Sequence, residues 1–118
     1  MAQKLIRIFH NPRCSKSREA LALLQARGLD PEVVDYLQNP PQPGELRSLL
    51  AQLGLPAREL LRSGEEEYAS LGLADASLSD EAVLQAIAAH PKLLQRPIVV
   101  HGERAVIARP PELLLQLL

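Results

Sequence analysis

The sequence has little cysteine, few aromatic residues and almost no net charge, and each shortage restricts the structure or the chemistry of the chain. Its one cysteine, Cys14, cannot form a disulfide within the chain, so any redox chemistry must finish with a thiol from another molecule. Tryptophan is absent and aromatic residues make up 3% of the chain, which leaves aliphatic side chains to build the core. The formal net charge of -1 provides no basic field, and we expect no nucleic-acid partner.

Long apolar runs are also missing. No run approaches the roughly 18 apolar residues of a membrane span, and the first residues show no signal-peptide pattern. We therefore expect no membrane partner and a cytoplasmic location, where thiols stay reduced. One cysteine and 3 scattered histidines give no metal-ligand spacing, so we expect no bound metal and no other bound cofactor.

Apolar runs and turn signals predict the order strand–helix–strand, a helical middle section, and then strand–strand–helix. The predicted strands cover residues 4–9, 32–36, 98–100 and 105–107, and the helical insertion covers about residues 43–92. A strand, helix and strand in close succession predict a parallel β-α-β unit. This order is typical of an α/β, thioredoxin-like fold: one domain over residues 1–118, with a central mixed four-stranded sheet and flanking helices.

Cys14 stands where the first predicted strand gives way to a helix. The strand ends at the turn Asn11-Pro12, and an amphipathic stretch runs from Cys14 to Gly28. Free N–H groups and the positive end of the helix dipole stabilise a negative charge there, so this thiol should ionise readily. The same turn carries further basic side chains: His10, Arg13, Lys16 and Arg18. The pattern predicts an anion-binding loop with a built-in nucleophile.

Several segments, spread in order over nearly the whole chain, together carry a family resemblance. They are His10-Asn11-Pro12-Arg13-Cys14 with Ser17-Arg18, Leu60-Leu61-Arg62, Arg96-Pro97-Ile98-Val99-Val100 and Arg109-Pro110-Pro111-Glu112, with Asn39-Pro40-Pro41, Leu71-Gly72-Leu73-Ala74 and His90-Pro91 in addition. In these segments the chain resembles the glutaredoxin-dependent arsenate reductase family. The resemblance implies reduction of arsenate to arsenite, with glutathione as co-substrate and glutaredoxin as protein partner.

The resemblance also implies a role for each matching position. Cys14 would attack arsenic, His10 would stabilise its thiolate, and Ser17 would hydrogen-bond the sulfur or the anion. The implied ligands of the oxyanion are Arg62, Arg96, Arg109 and Asn11. Pro97 matches a position that is cis in thioredoxin-like folds, and a cis bond there would bring Arg96 up to Cys14.

The same residues admit simpler interpretations, which stay open. Cys14 has the alternative of a small buried side chain, and Arg62 and Arg96 that of solvated surface charges. Arg109 has the alternative of a helix-entry residue paired with Glu112.

His10 has the alternative of a core histidine at a strand end, while His90 and His101 are interpreted as structural or exposed. The acidic run Glu65-Glu66-Glu67 is interpreted as a solvated helix face.

The residues around Cys14 also bear on other functions of a lone cysteine. A phosphatase-type loop needs Cys-x5-Arg, but Ala20 occupies the arginine position, and a dithiol oxidoreductase needs a second cysteine where Ser17 stands. Two alternatives stay open. One is a monothiol enzyme that reduces glutathione mixed disulfides without acting on arsenate. The other is a non-enzymatic, RNA-polymerase-binding regulator of the same fold, although that regulator typically uses a Cys-x-x-Cys switch, absent here.

Overall fold

The computed structural model describes residues 6–95 and 97–118. The chain divides into two units, one formed by residues 1–39 with 96–118 and the other by residues 40–95. The predicted helical insertion, about residues 43–92, falls inside the second unit. The arrangement of the chain as a single domain stays a prediction.

The first unit is built on a four-stranded mixed sheet. Its strands are β1 (Ile6–His10), β2 (Glu32–Asp35), β3 (Ile98–His101) and β4 (Arg104–Ile107), in the order β2-β1-β3-β4. β1 pairs with β2 in parallel and with β3 antiparallel, and β3 pairs antiparallel with β4. The predicted mixed sheet and the predicted hairpin are therefore confirmed. Residues 4 and 5, which the sequence placed in the first strand, lie outside the described residues.

The register brings three chain segments to one edge of the sheet. Phe9 pairs with Ile98, the first residue of β3, and Ile98 pairs with Ile107, the last residue of β4. Beyond these strand ends, the N–H of Ala108 donates to the carbonyl of Pro97 at 2.8 Å. The loop that follows β1 therefore shares a sheet edge with the chain that follows β4.

Helices cover one face of this sheet. α1 (Ser15–Ala26) and a 3₁₀ helix (Pro111–Leu117) pack on it around a buried aliphatic cluster. The cluster comprises Ile6, Ile8, Ala20, Leu24, Val99, Ala108, Leu114 and Leu117. The last predicted helix is present in the 3₁₀ form and begins at Pro111, directly after Pro110.

The second unit is helical. It contains α2 (Pro43–Leu53), α3 (Glu66–Ser70) and α4 (Asp80–Ala89), together with 3₁₀ helices at Ala57–Leu60 and Pro91–Leu93. α4 packs against α2 and both 3₁₀ helices, and the buried side chains of these helices include Leu46, Leu49, Leu60, Val83, Leu84, Ile87 and Leu93. Across the parts of the chain that the structure covers, no helix is both long and apolar enough to span a bilayer.

Candidate active site

Cys14 occupies the N-cap position of α1. Its backbone is extended, with φ -93° and ψ 122°, and its N–H donates to the carbonyl of Asn11 at 2.9 Å. The Cys14 carbonyl accepts the N–H of Arg18 at 3.0 Å, which is the first hydrogen bond of the helix. The N–H groups of the first turn have no partner within the helix, and they lie beside this partly buried cysteine. Cys14 thus stands at the strand-to-helix junction that the sequence indicated.

Ser17, in the first turn of α1, is fully buried and holds the preceding loop. Its Oγ accepts the N–H of Asn11 at 3.0 Å and lies 2.6 Å from Nδ1 of His10. If the hydroxyl donates to Nδ1, the imidazole is neutral and carries its proton on Nε2. If instead Nδ1 donates to Oγ, the hydroxyl proton remains for another acceptor. In both arrangements the Ser17 oxygen ties the end of β1 to the start of α1.

His10 itself is buried, with 7% of its surface exposed. Burial lowers the pKa of its imidazole from the ordinary value of 6.5, because the charged form loses hydration; the Arg18 guanidinium lowers the pKa further. The Asp35 carboxylate, opposite His10 in the parallel register, raises the pKa, as does the bond with Ser17. A largely neutral imidazole adds little positive charge to the turn at neutral pH, where Arg13, Lys16 and Arg18 are the cations.

The loop between β1 and α1 is closed by its own polar groups. Asn11, buried with 7% exposure, accepts the N–H of Arg13 on its Oδ1 at 2.9 Å. The guanidinium of Arg18 donates to the carbonyl of Pro12 at 2.9 Å. The side-chain oxygen of Asn11 thus accepts a hydrogen bond within the loop. The side-chain NH₂ group of Asn11 is the part that can donate to an anion.

Arg109 follows β4 and belongs to the segment that shares the sheet edge with the Cys14 loop. Its side chain is exposed, and its peptide bond to Pro110 is cis, which the sequence analysis did not predict. Arg96 lies outside the described residues, and so does its bond to Pro97, so the cis geometry expected there stays a prediction.

Arg62 belongs to the second unit, where pairing of two short segments fixes its backbone. Leu61 bridges to Leu94, and the N–H of Arg62 donates to the carbonyl of Leu93 at 2.7 Å. The Arg62 side chain is 22% exposed, and its Nη1 lies 3.7 Å from Oε2 of Glu65. Nη1 of Arg62 is buried and, within residues 6–95 and 97–118, has no hydrogen-bond partner.

Sequence reasoning missed two side chains that act on the predicted site residues. Asp35 raises the pKa of His10, and the parallel register of β1 and β2 was the signal that could have indicated it. Glu65 was interpreted as solvated, but it is only 24% exposed and pairs with Arg62, while Glu67 pairs with Lys92 at 3.7 Å. In this acidic run only Glu66 is exposed as predicted.

In the first unit, Cys14 offers a thiol nucleophile at the N-terminus of α1, and the same loop region carries Arg13 and Arg18. The helix N-terminus stabilises a thiolate or a bound oxyanion, and guanidinium groups bind such anions through paired N–H donors. Within the described ranges, no group of three or more His, Cys, Asp or Glu side chains could hold a metal ion. A thiol at a helix N-terminus suits nucleophilic attack on an oxyanion.

Comparison with known proteins identifies close relatives. The model of the ArsC family matches residues 9–117. An uncharacterized protein of Escherichia coli strain K12, YfgD, is 54% identical over 115 residues, covering 97% of each chain. A protein named arsenate reductase from Neisseria meningitidis serogroup A is 51% identical over 108 residues, covering 91% of this chain and 92% of the relative.

A solved structure titled arsenate reductase from Vibrio cholerae superimposes with a TM-score of 0.96 at 48% sequence identity. The match covers 99% of this chain and 100% of that chain. It confirms the thioredoxin-like fold with a mixed four-stranded sheet. On the family match and on these identities, the chain belongs to the ArsC family.

Proposed function

We propose that this protein reduces arsenate to arsenite and that the Cys14 thiolate is the nucleophile. The observation that supports this best is the position of Cys14 immediately before the first turn of α1, in a chain whose relatives include proteins named arsenate reductase. A helix N-terminus favours both the ionised thiol and the anionic substrate. The same position therefore serves both reactants.

Binding of the oxyanion is assigned to Arg62, Arg96, Arg109 and Asn11. Arsenate is a phosphate-like dianion near neutral pH, and it repels an approaching thiolate. Fixed guanidinium groups offset that repulsion and orient the anion for attack. The buried Nη1 of Arg62 and the placement of the Arg109 segment on the Cys14 edge of the sheet support this assignment, whereas Arg96 rests on the family resemblance.

His10 and Ser17 complete the proposed catalytic set. Ser17 would donate its hydroxyl proton to the Cys14 sulfur or to the bound anion whenever His10 donates to Oγ, which the 2.6 Å contact between them permits. His10 would then act on the thiolate through Ser17. This assignment makes the orientation of one hydroxyl the link between the histidine and the sulfur.

The proposed reaction takes two chemical steps at Cys14. The thiolate sulfur bonds to arsenic(V), and one arsenate oxygen leaves as hydroxide, which takes a proton to become water. A glutathione thiolate then attacks the Cys14 sulfur. A Cys14–glutathione disulfide forms, and the electron pair of the S–As bond stays on arsenic, which becomes arsenic(III) and leaves as arsenite. Glutaredoxin, with a further thiol, reduces the disulfide and restores Cys14.

The single cysteine is the reason for assigning an external thiol to the second step. Glutathione and glutaredoxin are the donors that the family resemblance implies, and the cytoplasm, where thiols stay reduced, is the compartment that suits them. No step in this scheme calls for a bound cofactor or metal.

A coupled assay tests the proposal. Purified protein is mixed with arsenate, glutathione, glutaredoxin, glutathione reductase and NADPH. We expect arsenate-dependent NADPH oxidation that the Cys14→Ser variant lacks. Equal rates for the two proteins would refute the proposal. Replacing glutaredoxin and glutathione with thioredoxin and its reductase identifies the donor. A glutathione mixed disulfide offered in place of arsenate identifies the monothiol alternative.

A further inference from the structure

We propose that Glu65 occupies the guanidinium of Arg62 as an internal anion, and that the substrate oxyanion must displace it. Glu65 would then set the affinity of the protein for oxyanions. The inference rests on the proposed role of Arg62 as an oxyanion ligand. It assigns a role to a carboxylate that the sequence indicated only as part of a solvated acidic run.

The geometry of the turn places the two side chains together. The N–H of Glu65 approaches the carbonyl of Arg62 at 3.4 Å, which closes a turn over residues 62–65. The backbone of Arg62 is itself held by a hydrogen bond of 2.7 Å, which its N–H donates to the carbonyl of Leu93. The two side chains therefore share one side of a braced turn, and they are only 22% and 24% exposed.

The contact between them is an ion pair without a hydrogen bond. Nη1 of Arg62 and Oε2 of Glu65 are 3.7 Å apart, beyond hydrogen-bonding distance. Nη1 is nevertheless buried and has no hydrogen-bond partner among the described residues. Nη1, which lies near a carboxylate without a hydrogen bond to it, can donate to an oxyanion that is free to approach more closely than the Glu65 side chain.

The neighbouring acidic residues do not share this arrangement. Glu67 pairs with Lys92 at 3.7 Å, and Glu66 is exposed and forms no ion pair with any residue that the structure describes. Glu66 therefore provides a matched control, because Glu66→Gln removes the same charge one position away without touching Arg62.

The first experiment compares KM for arsenate in the coupled assay. We expect Glu65→Gln to lower KM by about three- to fivefold, the upper part of the effect that a partly exposed ion pair carries, with kcat changed less. Glu66→Gln should leave KM within about twofold of the wild type, as expected for a solvated charge. An unchanged or raised KM in Glu65→Gln would overturn the proposal, since a raised value means that Glu65 holds Arg62 in place for the substrate.

A second experiment separates this inference from the activity itself. Arsenate is titrated calorimetrically into the Cys14→Ser protein, with and without Glu65→Gln. Tighter binding in the double variant supports the proposal, and equal binding, or none in either protein, overturns it. A wild-type protein that fails to oxidise NADPH with arsenate would instead refute the proposed function.

The dependence on Arg62 completes the test. In an Arg62→Gln background, Glu65→Gln should no longer change arsenate binding, because the group that the carboxylate occupies is gone. A persisting gain would show a general charge effect and overturn the specific pairing. Thermal unfolding of each variant separates a loss of folding from a change in affinity.

Discussion

Ser17 and His10 form a buried hydrogen-bonded pair next to the only thiol of the chain. The Ser17 oxygen receives the Asn11 N–H and contacts the imidazole, so one hydroxyl serves two polar groups that have little access to water. A buried donor or acceptor that is left without a partner destabilises the fold by the full free energy of its desolvation. This pair therefore contributes to the stability of the loop whether or not it takes part in the reaction.

Replacement of Ser17 by Ala tests that contribution. The change leaves the Asn11 N–H and the His10 ring without their partner, so we expect a loss of about 1–3 kcal/mol in the free energy of unfolding. Urea denaturation measures it. Ser15→Ala is the matched control, because Ser15 is exposed in the same turn. Equal midpoints for the two variants would show that the Ser17 bonds add nothing to stability.

His10 makes stability depend on pH. Folding lowers its pKa below the ordinary 6.5, mainly through burial, while Asp35 and Ser17 oppose the shift and Arg18 adds to it. The unfolded chain then binds a proton that the folded chain resists. The stabilising contribution is therefore fully present above pH 6.5 and is lost as the pH falls through the lowered pKa.

Denaturation of the wild type and of His10→Asn at a series of pH values measures this effect. The informative range lies between about pH 7 and 5.5, which is above the pH at which ordinary carboxyl groups take up protons. As the pH falls through this range, the wild type should lose stability more steeply than the variant. Parallel curves would contradict a neutral, buried imidazole.

Among the secondary-structure elements, α1 is the one that holds the loop around Cys14. Its N-terminus carries Cys14, and the Arg18 side chain from its first turn donates to the Pro12 carbonyl of the loop. The helix thus fixes the loop that precedes it and places a guanidinium there. Both features favour a thiolate over a thiol.

The pH dependence of Cys14 alkylation by iodoacetamide tests this role of α1. We expect a midpoint well below about 8.5, the value of a free thiol. Arg18→Gln should move the midpoint upward, because it removes both a charge and a brace of the loop. Lys16→Gln, which removes a charge from an exposed residue paired with Glu19, should move it less. A wild-type profile like that of a free thiol would contradict the proposed anion-binding loop.

Local patterns predicted the elements well where each one carries its own signal. The run before Asn11, the helix ended by Gly28 and the hairpin at Gly102 all appear as expected, since apolar period and turn chemistry are local properties. The 3₁₀ form of the last helix was not specified, because the pattern of leucines after Pro111 suits both helix types.

The position of Cys14 was predictable from the sequence, but the contacts around it were predictable only in part. The position of Cys14 follows from the turn beside it, but the bond from Asn11 to Ser17 and the effect of Asp35 on His10 depend on the loop path and on the strand register. The pairing of Glu65 with Arg62 is local and follows from the turn over residues 62–65. Apolar periodicity carries no signal for any of these contacts, since it reports neither the path of a turn nor the register of strands.

Considered over the entire chain, the proposed oxyanion ligands come from separate segments, so their chemistry should be sensitive to the type of cation. Arg96→Lys keeps the charge but removes the planar pair of donors that fits an oxyanion. We expect it to lose most of the arsenate-dependent rate, by about tenfold or more, a loss of about 1.4 kcal/mol in transition-state stabilisation. The steady-state coupled assay measures this loss, and full activity would remove Arg96 from the site.

In the proposed reaction, Cys14 passes through a glutathione disulfide that forms as arsenic(V) is reduced to arsenic(III). Mass spectrometry of the intact protein, incubated with arsenate and reduced glutathione but without glutaredoxin, tests it most directly. We expect one glutathionyl group on Cys14 that appears only when both reagents are present, and none on the Cys14→Ser variant. An unmodified Cys14 while arsenite accumulates, or the same yield of modification without arsenate, would contradict it.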